Sequence, residues 1–350
     1  MIERLRARST CSANREHPLN EADIQVLASI RRAELEGESS DHSTLERSSD
    51  RYWKYLEDWS GSWQRLLDEG LIHGDASGYA LTDLGRPLAE HYYAERPDRC
   101  WYYYEHYYPA AHASNAHSKL CERAFGKDLT QDGQVDMDSL HDMCSYIDLK
   151  DTDRILDLGC GAGALSEYIS DLTGAHVTGL EYAKSAVATA INRTTSKCDR
   201  LSFVHGDMNA LELPEQSFDK IISLDTIYWA ADIDTAVASL VRLIKPSGKL
   251  AMFITITPEF EDGQESYEPD GTWVALSLIR LGLEYDVYDS TASFLKFWPR
   301  LKRIALELRG DFVAEGNEVI FDCFIFDADG DYLPAAAAGK LRRYLYVVNV

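Results

Sequence analysis

Residues 153–163 read Asp153-Arg154-Ile155-Leu156-Asp157-Leu158-Gly159-Cys160-Gly161-Ala162-Gly163. Ile155 to Leu158 is a short apolar run of the kind that makes a buried strand, and Gly159, Gly161 and Gly163 make a tight turn into a helix starting near Ala164. Glycine is needed where a ligand must approach the backbone with no Cβ in the way. Three downstream segments accompany this turn. The strand His176–Leu180 ends in Glu181, 22 residues after Gly159, where an acid at a second strand end grips a ribose through its hydroxyls. Leu201–His205 is a third strand, and Asp207 in the following Gly206-Asp207-Met208 is placed to accept a hydrogen bond from an adenine amino group. Asp219–Trp229 runs a fourth strand into a polar, aromatic loop. A helix over Asp232–Leu243, the turn Lys245-Pro246-Ser247-Gly248 and a fifth strand over Lys249–Thr255 complete a β-α-β alternation, the mark of a parallel sheet covered by helices.

Two ligands suit such a turn. The nicotinamide dinucleotide fingerprint wants Gly-x-Gly-x-x-Gly with a pyrophosphate over the helix N-terminus. Here the third glycine comes one place early, and the Asp157 carboxylate would repel a pyrophosphate while suiting a cation. The stretch "ILDLGCGAG" (155–163), Glu181, "GDM" (206–208) and "RLIKPSGKL" (242–250) resembles the class I S-adenosylmethionine-dependent methyltransferases over about residues 150–260, and more loosely to the end. "HSKLCERAFGKDLTQDG" (117–133), "SLDTIYWA" (223–230), "FVAEGNEVIFD" (312–322) and "RRYLYVV" (342–348) are similar to the bacterial small-molecule group related to the glycine/sarcosine and sterol enzymes.

The resemblance implies an α/β fold, a Rossmann-like seven-stranded methyltransferase sheet, with Leu283–Asp289 and Arg343–Val350 as its closing antiparallel pair. It implies S-adenosyl-L-methionine as cofactor. Asp157, Gly159, Gly161 and Gly163 would cradle the methionine part, Glu181 the ribose, Tyr182 the adenosine, and Asp207 and Met208 the adenine. Leu224 would offer backbone to the methionine amino group. Two departures narrow the chemistry. The fourth motif is not (Asn/Asp)-Pro-Pro-(Tyr/Phe), which counts against methylation of DNA bases. The histidine base of plant-type O-methyltransferases is replaced by Tyr228 and Trp229.

The rest of the 350-residue chain leaves room for a second domain, since domains run about 100–200 residues. Residues 1–19 are polar and loose, without the apolar core of a secretory signal. From Asn20 the pattern is helical: Ile24, Leu27, Ile30 and Leu35 recur near a 3.6 period, with Asn20 and Asp23 spaced for a capping box. Trp53, Leu56 and Trp59, then Trp63, Leu66 and Leu67, give further helix, with Gly70 at its end. Leu71-Ile72 and Tyr79-Ala80-Leu81 read as a short hairpin, and Thr82 caps the next helix. Helices, hairpin and "YALTDLGRPLA" (79–89) resemble a winged-helix domain over 20–98. Its eight Lys/Arg against 17 Asp/Glu make it a poor reader of DNA, which needs a basic face, and favour a dimerisation or lid module.

Residues 99–149 form an aromatic connector. Trp101, Tyr102, Tyr103, Tyr104, His106, Tyr107, Tyr108, His112 and His117 suit either a pocket wall that orients a polar ligand or a face packed between domains. Their histidines lack convergent carboxylates, which argues against a metal. The methyltransferase domain then takes 150–350.

The formal charge of −23 disfavours nucleic acid and anionic membrane as partners. No apolar run approaches the roughly 20 residues a bilayer needs. The seven cysteines are odd in number and scattered without a CxxC pair, which reads as reduced cytoplasmic thiols. The expected protein is a cytoplasmic homodimer that transfers a methyl group to a small molecule. Tyr228, Tyr104, Tyr108 and Gln131 would line the acceptor pocket. Tyr228 and His117 are the candidates for catalysis, and a surface or packing role fits His117 better than that of a base. The competing expectation is a winged-helix regulator that senses S-adenosylmethionine without catalysis.

Overall fold

The computed structural model describes residues 19–42, 44–45, 61–95, 101–258 and 265–350. Trp53, Leu56 and Trp59, and the loose segment before Pro18, lie outside the described residues. The chain forms two compact units, Met1–Tyr104 and Glu105–Val350, so residues of the aromatic connector from Glu105 onward cluster with the sheet instead of standing as a separate segment.

In the first unit, α1 (Glu21–Glu36) starts on a complete capping box: the Asn20 side chain accepts the Asp23 N–H, and Asp23 accepts that of Asn20. Val26, Leu27, Ile30 and Ala33 face a core with Trp63 and Leu66 of α2 (Ser62–Asp68). The hairpin pairs β1 (Ile72–Asp75) with β2 (Gly78–Leu81). Tyr79 on it stacks on Trp63 at 4.6 Å between centroids. Thr82 accepts the Gly85 N–H just ahead of α3 (Arg86–Glu95).

The second unit opens on the C-terminal part of α4 (Trp101–Ala113), then α5 (Asn115–Phe125) and α6 (Met137–Tyr146). The sheet uses β3 (Arg154–Leu158), β4 (His176–Glu181), β5 (Leu201–His205), β6 (Phe218–Leu224), β7 (Ile244–Ile256), β8 (Glu284–Asp289) and β9 (Arg342–Asn349), in the spatial order β5-β4-β3-β6-β7-β9-β8. β3 to β7 run parallel, and β9 enters antiparallel between β7 and β8. The turn at 245–248 lies within β7 as a register irregularity opposite Phe218 and Lys220. Side chains alternate between the faces as period 2 requires. Leu156, Leu158 and Ile221 join one core with α9 (Ile233–Leu243) and α10 (Trp273–Arg280). Ile155 and Ile222 join the other, with α6, α7 (Ala164–Thr173) and α8 (Lys184–Arg193).

An insertion sits between the two antiparallel strands. It carries α11 (Thr291–Ala314), α12 (Glu318–Phe326), a wide turn over Asp327–Tyr332 and α13 (Leu333–Ala337). Glu315, at its bend, accepts hydrogen bonds from Ser114 Oγ at 2.6 Å and from the Ala116 N–H at 3.1 Å, so it fixes the start of α5. Lys119 reaches Asp311 from the same helix.

The turn after β3 admits little change. Gly163 has φ +74°, and a Cβ there would overlap Phe203 and Ala190. Gly282 has φ +68° with open space around it. Gly163→Ala should therefore cost about 3 kcal/mol, from backbone strain plus overpacking. Gly282→Ala should cost about 1 kcal/mol from strain alone. Urea unfolding of the two variants checks the difference.

Candidate active site

β3 and β6 lie side by side at the point where the chain order reverses, and in open α/β sheets the crevice outside the strand ends at that point holds the ligand. Here it is bounded by the turn Gly159–Gly163 from β3 and the turn Asp225–Trp229 from β6. Gly159, Gly161 and Gly163 all have positive φ. Thr226 fits its side chain where a Cβ on Gly159 would stand, and its Oγ1 donates to the Leu158 carbonyl at 2.7 Å, which fastens the two turns together. The Tyr108 ring of α4 lies where a Cβ on Gly161 would project.

Two carboxylates are sunk at this turn. Asp157 is 2% exposed and Glu181 4%. Asp157 accepts from Ser166 Oγ, and Glu181 accepts the N–H groups of Gly161, Tyr182 and Ala183. Among the described residues neither makes an ion pair. Burial pushes Asp157 up to about 6, against the pull of the Ser166 hydroxyl. Burial also pushes Glu181 up to about 7, against those three backbone donors. A site with two such carboxylates and, among the described residues, no paired cation suits a polar, cationic ligand. The methionine ammonium and sulfonium of S-adenosylmethionine are such a ligand, and the ribose hydroxyls are donors for Glu181. The residues present fit it.

Around this pocket, Asp207 is exposed and accepts from the N–H and side chain of Asn209, while Met208 packs partly buried against the core. The Tyr182 N–H points to Glu181, and its carbonyl meets His205 Nε2 at 3.0 Å. Leu224 is buried at the end of β6. Tyr228 follows on the next turn, its ring centroid 5.4 Å from that of Trp229. Burial, with the nearby Asp225 carboxylate, holds the Tyr228 hydroxyl well above its ordinary value. Burial and Glu181 do the same to Tyr108.

Residues 156–252 match the family described as a methyltransferase domain. A sterol 24-C-methyltransferase of Gibberella zeae is 27% identical over 158 residues, which are 45% of this chain and 39% of that protein. The second unit carries a methyltransferase domain over residues 156–252. A phosphoethanolamine N-methyltransferase of Triticum aestivum is 29% identical over 132 residues, 37% of this chain and 26% of that one. The chain thus spans well under half the length of these curated relatives. Phosphoethanolamine N-methyltransferase 2 of Haemonchus contortus, solved with phosphomonomethylethanolamine and S-adenosylhomocysteine, gives a TM-score of 0.56 at 17% identity, covering 71% of this chain and 60% of that one. That is a likeness of fold.

The methyltransferase crevice gathers Asp157, the glycine turn, Glu181, Tyr108 and Tyr228. Other residues read from the sequence have different duties. His117 is fully buried, 2.9 Å from the Tyr107 hydroxyl and stacked on Phe324, and burial lowers its imidazole to about 4. That is a neutral, packed ring. Gln131 spends its side chain on its own loop, accepting the Leu129 N–H and donating to the Lys127 carbonyl. Tyr104 belongs to the first unit, with its ring edge-on to Tyr103.

The structure adds a group the sequence reading passed over. Asp225, with φ +59°, is paired through both oxygens with Arg343 of β9, and both side chains are at most 2% exposed. The signal was there: two arginines, Arg342 and Arg343, open an otherwise apolar strand, and period 2 turns one of them inward. Among the described residues no group of three or more His, Cys, Asp and Glu could hold a metal, and no helix is long and apolar enough to cross a membrane.

The raised carboxylates make stability pH-dependent with a definite sign. Both folded values lie above the unfolded values near 4, so between about pH 4 and 7 the folded state binds more protons and stability rises as pH falls. The two carboxylates should contribute on the order of a few kcal/mol at pH 5 over pH 8, opposed in part by buried His117, whose lowered imidazole takes up a proton more readily in the unfolded chain. Asp157→Asn with Glu181→Gln should flatten that slope, as read by denaturant titration at each pH.

Proposed function

We propose that the protein transfers a methyl group from S-adenosylmethionine to a small-molecule acceptor by in-line displacement. The observation that carries this is the pair of sunken carboxylates, Asp157 and Glu181, without a paired cation at a glycine turn on the switch point of the sheet. S-adenosylmethionine, when bound, supplies a methyl carbon already activated by its sulfonium. In this reading Asp157, Gly159, Gly161 and Gly163 hold the methionine part, together with the Leu224 backbone. Glu181 accepts from the ribose hydroxyls, Tyr182 packs on the adenosine, and Asp207 and Met208 take the adenine edge.

Tyr108 and Tyr228 stand on the acceptor side. Their hydroxyls stay protonated at neutral pH because burial and nearby carboxylates oppose ionisation. They orient an acceptor as hydrogen-bond donors and do not act as bases. The protein's task is to hold the acceptor in line and dry, an effect worth about 7–11 kcal/mol in favourable cases. The acidic chain disfavours nucleic-acid acceptors, which supports a small molecule. We read the first unit as a winged-helix-like module that makes the protein a homodimer. The thiols of Cys121, Cys144, Cys160 and Cys198, which form no disulfide among the described residues, support a reducing, cytoplasmic setting.

Calorimetric titration tests the donor site. The wild type should bind S-adenosylhomocysteine in the micromolar range and leave NAD unbound. Asp157→Ala with Glu181→Ala should weaken it by more than about a hundredfold, roughly 3 kcal/mol. The wild-type affinity should also fall as pH drops from 8 to 6, because the ammonium group needs Asp157 ionised and the ribose hydroxyls need Glu181 ionised. Incubation with methyl-labelled donor and a cell extract tests the acceptor class. Label should enter the low-molecular-weight fraction, and label in nucleic acid or protein alone would refute a small-molecule acceptor. Binding without any transfer would favour the sensing role.

A further inference from the structure

Asp225 sits in a left-handed conformation that a residue with a side chain rarely adopts, at φ +59°, between the Leu224 backbone and Thr226. Its carboxylate is fully engaged. Arg343 Nη1 and Nη2 each meet one of its oxygens, the second at 2.9 Å, and the Gln134 N–H donates to Oδ2 at 2.8 Å. The guanidinium is held in turn. Its plane lies between Phe253 and Phe294, 4.9 and 5.0 Å from their centroids, and Nη1 also donates to Thr255 Oγ1 at 2.6 Å. Thr255 donates to Gln134 Oε1 at 2.9 Å, which closes the ring of bonds back onto the loop that meets Asp225.

An ion pair this buried is a weak source of stability, because desolvation offsets much of the attraction, while breaking it leaves a bare charge. What it fixes is backbone. On one side of Asp225 stands Leu224, and on the other Thr226, whose Oγ1 reaches the Leu158 carbonyl beside the glycine turn. A carboxylate with both oxygens taken acts through the chain it belongs to.

We propose that Arg343 is a positioning residue for the methionine end of the donor. Through Asp225 it holds the Leu224–Thr226 turn in the strained form that presents the Leu224 backbone and seats Thr226 against Gly159. This rests on the donor-site reading above. The adenosine end, at Glu181 and Tyr182, lies at the end of β4, and neither residue bonds to Asp225 or Arg343.

The test compares two ligands, S-adenosylhomocysteine and 5′-methylthioadenosine, which lacks the amino-acid end. Binding of the first by the wild type establishes the donor site, and its failure would sink that reading alone. Arg343→Lys, and the neutral double variant Arg343→Gln with Asp225→Asn, are first shown to be folded by circular dichroism and melting. Each should then bind S-adenosylhomocysteine at least tenfold more weakly and 5′-methylthioadenosine within twofold of wild type. Equal loss for both ligands, or loss for neither, would overturn the proposal. If those variants do not fold, Thr226→Val decides, since it keeps the methyl contact with Gly159 and removes the bond to Leu158. It should show the same selective loss, and unchanged affinity for both ligands would overturn the proposal.

Discussion

The reversal of chain order between β3 and β6 is the constraint on which the rest depends. At that point two neighbouring strands send their chains to opposite sides, and a gap opens that no connection crosses. The turns that bound the gap are packed to contact. Phe203 and Ala190 close on Gly163, Thr226 on Gly159 and the Tyr108 ring on Gly161. Little slack remains, and the carboxylates of Asp157 and Glu181 stay out of water.

Electrostatics then divides the crevice. The donor side carries sunken carboxylates raised by burial. The β6 side carries Asp225 neutralised by Arg343, so that its negative charge is spent inside the protein. Tyr228 follows immediately, kept protonated by burial and by its acidic neighbours. Carboxylates of the same kind thus stand in unlike settings: Asp157 and Glu181 are sunk without an ion pair among the described residues, while Asp225 is bound to Arg343.

The sheet was legible in the sequence because its signals are local. Apolar runs, glycines and acids at strand ends predict β3 to β6 closely, β7 starts five residues earlier than expected because the turn at 245–248 lies inside it, and Leu283–Asp289 and Arg343–Val350 fall on β8 and β9. The residues proposed for the donor are read from the same signals, since each sits at a fixed distance along the chain from a strand end. The acceptor side was harder to read. His117 and Gln131 carry suitable chemistry, but their partners, Phe324 from the insertion and the Lys127 carbonyl, are set by packing that no periodicity encodes. Asp225 and Arg343 are 118 positions apart, and only the antiparallel entry of β9 between β7 and β8 brings them together.

That entry also orders events during synthesis. β9 is the last strand made and fills an inner place in the sheet. Until residues 342–349 leave the ribosome, β7 and β8 have no common neighbour and Asp225 has no guanidinium. The nascent chain therefore carries an open β7 edge, a template for pairing with other chains, until residues 342–349 have emerged. A truncation just before Arg342 would remove β9 alone from the sheet. It would leave the sheet split in two and the turn beside the donor pocket unclamped.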